Sequence, residues 1–281
     1  MHIAIAGASG FLGRPLARTL AADGHTVAAL PRGSTLGVAG ADVVVNLAGE
    51  SIAGRRWSAA QKQKIFDSRV QTTRALVDAI RGAARPPRVF ISGSAVGYYG
   101  PCGDEVVAES ASAGDDFLAR VCVAWESEAA RAADRTRVVC VRTGLVLERD
   151  GGALPQMLPP FWFGAGGPVG SGRQYWPWIH REDWIALVRW AIDNDAVAGP
   201  VNATAPTPVT NKAFASALGR AIHRPAFMPA PAFALRLLLG EMADALLLSG
   251  QRAVPEKAQR LGFSFRFAQL DEAFAAIFRR V

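Results

Sequence analysis

Short runs of β-branched and small apolar residues recur through the first half of the chain with no polar residue at alternate positions. They are "HIAIAG" (2–7), "HTVAAL" (25–30), "ADVVVNLAG" (41–49), "PRVFISGSA" (87–95) and "RVVCVRTGLVL" (137–147). A strand covered on one face alternates apolar with polar residues, whereas an unbroken apolar run predicts a strand covered on both faces, as in a parallel sheet. Stretches with helical spacing lie between the runs: "FLGRPLARTLAADG" (11–24), ending at Gly24, and two longer ones over roughly 58–82 and 115–134. The alternation predicts a doubly wound α/β fold. Only a short stretch separates the second run from the third, so the helix and strand usual at that point are expected to be abridged.

The second half changes character. The Gly/Pro-rich stretch "PPFWFGAGGPVGSGRQYWPW" (159–178) predicts an irregular loop, followed by a helix from about Glu182 to Asn194. Short strand and helix signals continue to Arg224. Beyond "RPAFMPAP" (224–231) the pattern is helical to the end, dividing the chain into residues 1–224 and a small helical C-terminal domain, 225–281. The apolar stretch "FALRLLLGEMADALLLSG" (233–250) is interrupted by Arg236, Glu241 and Asp244. It reads as two packed helices rather than a membrane span, which needs about 20 predominantly apolar residues.

Half of the 281 residues are hydrophobic and a fifth are charged, a globular composition. The net charge of +7 comes from arginines spread along the chain, with no dense basic run, which argues against nucleic acid as a partner. Cys102, Cys122 and Cys140 are odd in number and lack paired spacing, so neither a disulfide framework nor a zinc site is expected. The four histidines are isolated and make no metal-ligand pattern. With no export signal visible, these features predict a cytoplasmic protein whose partner is a small molecule.

The first run opens into "GASGFLG", which places Gly7, Gly10 and Gly13 between a strand and a helix. Gly7 allows the tight turn, Gly10 lets backbone N–H groups approach a pyrophosphate, and Gly13 lets helix and strand pack closely. Phe11 and Leu12 complete this turn and are assigned to the cofactor site with it. The second strand ends in "LPRGS" rather than in the acidic residue that holds a ribose hydroxyl. Arg32 offers a planar cation suited to a 2′-phosphate, so NADP is expected in preference to NAD.

Several segments occur in a characteristic order: "GASGFLG", "NLAGESIAGRRW", "SRVQTTRALVDAI", "ISGSAVGYYG", "FLARVCVAWE", "VRTGLVL", "GSGRQYWPWIHREDW" and "GFSFRF". Together they resemble the atypical extended short-chain dehydrogenases of the nucleotide-sugar epimerase family, over nearly the whole chain. The resemblance implies a Rossmann-like domain that binds NADP, a family-specific C-terminal domain, and a nucleotide-sugar-like substrate. It also implies that Leu47, Ala48 and Gly49 line the adenosine half of the cofactor. Arg69 stands where relatives carry an asparagine, within reach of the pyrophosphate or the nicotinamide ribose.

The same resemblance assigns Ser94 to the serine that hydrogen-bonds the reacting hydroxyl or carbonyl. The tyrosine and lysine that normally accompany it are missing. Alignment on Trp125-Glu126 puts Leu118 and Cys122 in their places, and a shift of one gives Phe117 and Val121. Candidates to replace the missing base are Tyr98, Tyr99 and His180, the last because imidazole titrates near neutrality. Asp104, Glu105 and Glu109 read as a solvated loop face, and Arg173, Tyr175, Trp176 and Trp178 as substrate contacts. The leading expectation is an NADP-dependent epimerase or oxidoreductase; the alternative is a non-catalytic NADP-binding sensor or partner-binding protein.

Overall fold

The computed structural model describes residues 1–279. In chain order the elements are β1 (His2–Ala6), α1 (Gly13–Ala22), β2 (Thr26–Leu30), β3 (Val43–Asn46), α2 (Ala59–Gly82), β4 (Val89–Ala95), β5 (Val106–Val107), α3 (Phe117–Ala130), β6 (Arg137–Thr143) and β7 (Leu145–Leu147). They continue with α4 (Leu154–Trp162), β8 (Tyr175–Trp176), β9 (Trp178–His180), α5 (Arg181–Asp193), β10 (Gly199–Ala203), β11 (Val209–Thr210), α6 (Asn211–Ala221) and α7 (Ala232–Leu239). A short helix (Glu241–Ala243), a π-helical turn (Asp244–Leu248), β12 (Arg252–Ala253) and the helices Glu256–Arg260 and Leu270–Arg279 close the described chain.

The chain divides into two compact units. The first holds Met1–Tyr98, Asp115–Arg142 and Ile185–Val201; the second holds Tyr99–Gly114, Thr143–Trp184 and Asn202–Val281. The central sheet has the order β10-β6-β4-β3-β1-β2, and β1 pairs in parallel with β2 and β3, as β3 does with β4. Ile3, Ile5, Val43, Val44, Val45, Phe90 and Ile91 are all buried, the covering of both faces that their unbroken apolar runs require. Helices α2 and α3 are capped by side chains. Ser58 accepts from the Gln61 N–H at 3.2 Å, and Asp116 from the Ala119 N–H at 2.7 Å. Their apolar faces, with Leu76, Val77, Ile80 and Ala129, cover Ala4, Val44 and Phe90. Between β2 and β3 the chain makes turns only, the abridged connection the sequence suggested.

The second unit has its own core of Leu154, Leu158, Phe161, Trp176, Trp178, Phe214 and Phe274. Here four sequence expectations are corrected. The run 137–147 is not one strand: it breaks at Gly144, where a Cβ would lie 2.3 Å from the Pro177 carbonyl oxygen, and β7 pairs with β9 instead. The stretch 159–178 is not one irregular loop, since it begins inside α4 and ends in β8 and β9, with Trp176 and Trp178 in the core rather than offered to a ligand. The C-terminal part is not wholly helical, because β12 pairs in parallel with β5. Gly250 precedes that strand, and a Cβ there would meet the Tyr175 carbonyl oxygen at 1.9 Å. Finally, Glu109 is not solvated: it is buried and accepts the N–H groups of Asn202 (2.9 Å) and Lys257 (3.1 Å). Short strands of two or three residues carry no readable periodicity, which is why pattern alone missed them. Among the described residues no helix is long and apolar enough to cross a membrane.

Candidate functional site

The glycine turn after β1 packs closely against the strand ends and the start of α1. Gly7 sits at φ +82°, and a Cβ there would lie 2.7 Å from the Leu47 carbonyl carbon. At Gly13 a Cβ would come within 2.1 Å of the Gly7 oxygen, so only glycine lets α1 start this close to the strand. The residue capping α1 is Leu12, which supplies no side-chain acceptor. Arg14 N–H donates to the Gly10 oxygen (3.1 Å), Leu16 N–H to the Leu12 oxygen (3.2 Å), and Pro15 has none, so an anion here would meet the N–H groups ahead of Arg14, on the positive end of the helix dipole. Phe11 and Leu12 are half-buried beside the exposed Gly10. Arg32 is exposed in the turn after β2, open to a 2′-phosphate.

Leu47, Ala48 and Gly49 follow β3, held by bonds from the Leu47 N–H to the Ala6 oxygen (2.8 Å) and from the Ala48 N–H to Asn46 Oδ1 (3.2 Å). Asn46 is buried and fixed in turn by a 2.8 Å bond to Thr73 on α2. Arg69, one helical turn before Thr73, reaches the same place. Its Nη1 donates to the Glu50 and Ile65 carbonyls, each at 3.0 Å. The guanidinium lies so close to Gly49 that a Cβ there would be 3.1 Å from Arg69 Cζ. Burial is the main effect on this side chain and lowers its pKa.

Ser94, near the end of β4, donates its hydroxyl to Glu126 Oε1 at 2.6 Å. Arg142, from β6, grips both oxygens of that carboxylate: Nε to Oε1 and Nη2 to Oε2, each at 2.8 Å. The arginine side chain is 3% exposed and that of Glu126 14%, so the pair is sheltered from solvent screening. Tyr98 lies under the guanidinium, whose Cζ is 3.4 Å from the ring centroid. Tyr98 and Glu126 also line a cavity of about 480 Å³, together with Val123, Ser127 and Cys140.

Sequence reasoning did not assign Glu126 or Arg142, and both left a signal. Glu126 follows Leu118 and Cys122 at four-residue steps on one helix face. Arg142 follows the apolar run 138–141 of β6, where an arginine is buried only with a partner.

The four residues that the sequence aligned with the usual tyrosine and lysine positions all lie on helix α3. Leu118 packs over Gly97, and Phe117 meets Trp57 edge-on at 5.1 Å. Val121 and Cys122 are buried, and burial pushes the Cys122 thiol up to about 11.

Tyr99 and His180 belong to the second unit. Tyr99 is buried and its hydroxyl donates to Asn202 Oδ1 at 2.7 Å. His180 is also buried; its Nδ1 accepts the Glu182 N–H at 3.1 Å and its ring packs on Phe267 with centroids 4.1 Å apart. Neighbouring Asp183 accepts the N–H groups of Arg266 and Phe267, while burial raises its pKa. Each of these groups makes contacts that hold the unit together. Among the described residues no group of histidines, cysteines and carboxylates could hold a metal ion.

A family model described as "NAD dependent epimerase/dehydratase family" matches residues 3–203, and a "Domain of unknown function (DUF1731)" matches residues 230–277. The Mycobacterium leprae protein called epimerase family protein ML0860 is 42% identical, over 97% of this chain and 94% of its own. The crystal structure of human epimerase family protein SDR39U1 with NADPH superposes with a TM-score of 0.95 at 35% identity, covering both chains completely. A nucleoside-diphosphate sugar epimerase from Corynebacterium glutamicum gives a TM-score of 0.80 at 32% identity, over 99% of this chain and 58% of that one.

Proposed function

Because this chain belongs to the NAD dependent epimerase/dehydratase family, we propose that it binds NADP and uses it to oxidise or reduce a carbinol of a nucleotide-sugar-like substrate, as an epimerase or oxidoreductase. The uncapped start of α1, the glycines that admit no Cβ and the exposed Arg32 support the cofactor assignment. The NADPH carried by the human relative supports it further. The substrate class rests on the relative called a nucleoside-diphosphate sugar epimerase. The setting we propose is the cytoplasm, with a small molecule as the partner.

The observation that carries the catalytic reading is the bond from Ser94 to Glu126. With its proton engaged by the carboxylate, Ser94 Oγ presents lone pairs, so it can accept the proton of a substrate hydroxyl. A bound nicotinamide would supply hydride chemistry at the carbinol carbon. The hydroxyl proton passes to Ser94 Oγ as Ser94 gives its own to Glu126, and reduction runs the same path backwards. Arg142 holds Glu126 in line and balances its charge.

A second reading, a protein that holds NADP without turnover as a sensor or partner-binding module, is favoured by Leu118 and Cys122. These stand where a tyrosine and lysine would otherwise act. The test is incubation with NADP⁺ or NADPH and a panel of UDP-, GDP- and dTDP-sugars, following nicotinamide absorbance and the sugar NMR signals. Conversion lost on the order of 100-fold in Ser94→Ala and Glu126→Gln fits the enzyme reading. Cofactor binding with no conversion anywhere in the panel leaves the second.

A further inference from the structure

Arg69 is a sheltered cation whose hydrogen bonds go to two main-chain carbonyls and a serine hydroxyl, not to a carboxylate. Its three bonds all leave from Nη1, to the Glu50 and Ile65 oxygens and to Ser68 Oγ, so Nη2 and Nε remain for a ligand. The guanidinium lies 5.3 Å from the centroid of Trp125, whose own indole packs against Gly93 next to Ser94. The Cys122 and Glu50 side chains act on it electrostatically, while its hydrogen bonds hold the guanidinium beside Gly49. A charge sheltered from water acts strongly on other charges brought near it.

The sheet order fixes which half of the cofactor comes near. Arg32, after β2, marks the end that takes the 2′-phosphate, and the uncapped start of α1, after β1, marks the pyrophosphate. Continuing through β3 and β4, the chain ends of the next strands are Gly49 and Ser94, and this is where Arg69 stands. On this reading the nicotinamide and its ribose would fall there, beside Gly49, in place of the adenosine half that the resemblance implied for that residue. The nicotinamide ring carries a positive charge when oxidised and none when reduced.

We propose that Arg69 makes the site select reduced over oxidised cofactor, by repelling the nicotinamide cation of NADP⁺ while leaving neutral NADPH unaffected. The chain would then rest as its NADPH complex and favour reduction of a carbonyl as its first step. This inference rests on the NADP reading above but needs no substrate and no turnover.

The experiment is a fluorescence titration with NADPH, followed by its displacement with NADP⁺, on the full chain and on Arg69→Met and Arg69→Lys. The wild-type protein is expected to bind NADPH on the order of tenfold more tightly than NADP⁺. Arg69→Met, which removes charge but keeps an unbranched side chain, is expected to bring the two within about twofold. Arg69→Lys is expected to retain the preference. Equal wild-type affinity for the two forms overturns the proposal without any variant, so it stays testable if Arg69→Met does not fold. An Arg69→Met protein that loses affinity for both forms by the same factor also overturns it, since that is the signature of packing or of pyrophosphate contact. A wild-type chain that binds neither form is a different result, and removes the NADP reading together with this one.

Discussion

The Ser94 hydroxyl and the Glu126 carboxylate are joined at 2.6 Å, and Arg142 grips both oxygens of that carboxylate, sharing Oε1 with the serine. In the proposed reaction this bond commits the serine's own proton and leaves its lone pairs to accept one from a substrate.

Breaking the clamp should cost stability. Arg142→Met leaves Glu126 with its charge sheltered and unpaired, and is expected to destabilise the fold by about 3–5 kcal/mol. The double variant Arg142→Met/Glu126→Leu should recover most of that loss, because two apolar side chains pack without a stranded charge. Urea unfolding of the three proteins checks this; a double variant less stable than the single one contradicts it.

Gly7 is held at φ +82° with no room for a Cβ. Gly7→Ala is expected to lose about 1–3 kcal/mol from the backbone conformation alone, and to lose NADPH binding as the turn opens. Thermal unfolding and NADPH titration on the same sample read both effects.

Arg32, exposed after β2, is assigned to the 2′-phosphate. Arg32→Ala should weaken NADPH on the order of tenfold or more and leave NADH nearly unchanged, since only NADPH carries that group. Equal losses for the two cofactors remove the assignment.

Burial holds the Cys122 thiol up to about 11, so it stays protonated, and inert, until pH rises towards that value. In the native protein iodoacetamide near neutral pH should leave Cys122 unmodified, as read by peptide mass spectrometry, while urea-unfolded protein should react there. Rapid native labelling of Cys122 would mean a thiolate in the site and a different chemistry.

The glycine turn was legible in the sequence because Gly7, Gly10 and Gly13 lie close together between an apolar run and a helical pattern; the constraint at Gly13 comes from nearby Gly7, whereas that at Gly7 comes from distant Leu47. The expectation that the tyrosine and lysine are missing came from the family resemblance, aligned on Trp125-Glu126. Tyr98, Tyr99 and His180 were chosen by proximity in sequence and by titration chemistry. Their packing under Arg142, against Asn202 and on Phe267 could not be read that way.

The sequence by itself determined the alternation of buried strands and helices, the glycine turn and the arginine after β2, because periodicity and turn chemistry act over a few residues. Only the tertiary structure decided that Ser94, Glu126, Arg142 and Tyr98 form one cluster, and that Arg69 reaches Gly49 and Trp125. These partners come from β4, α3, β6 and α2, and no pattern within a single element records which charged side chains the packing will shelter together.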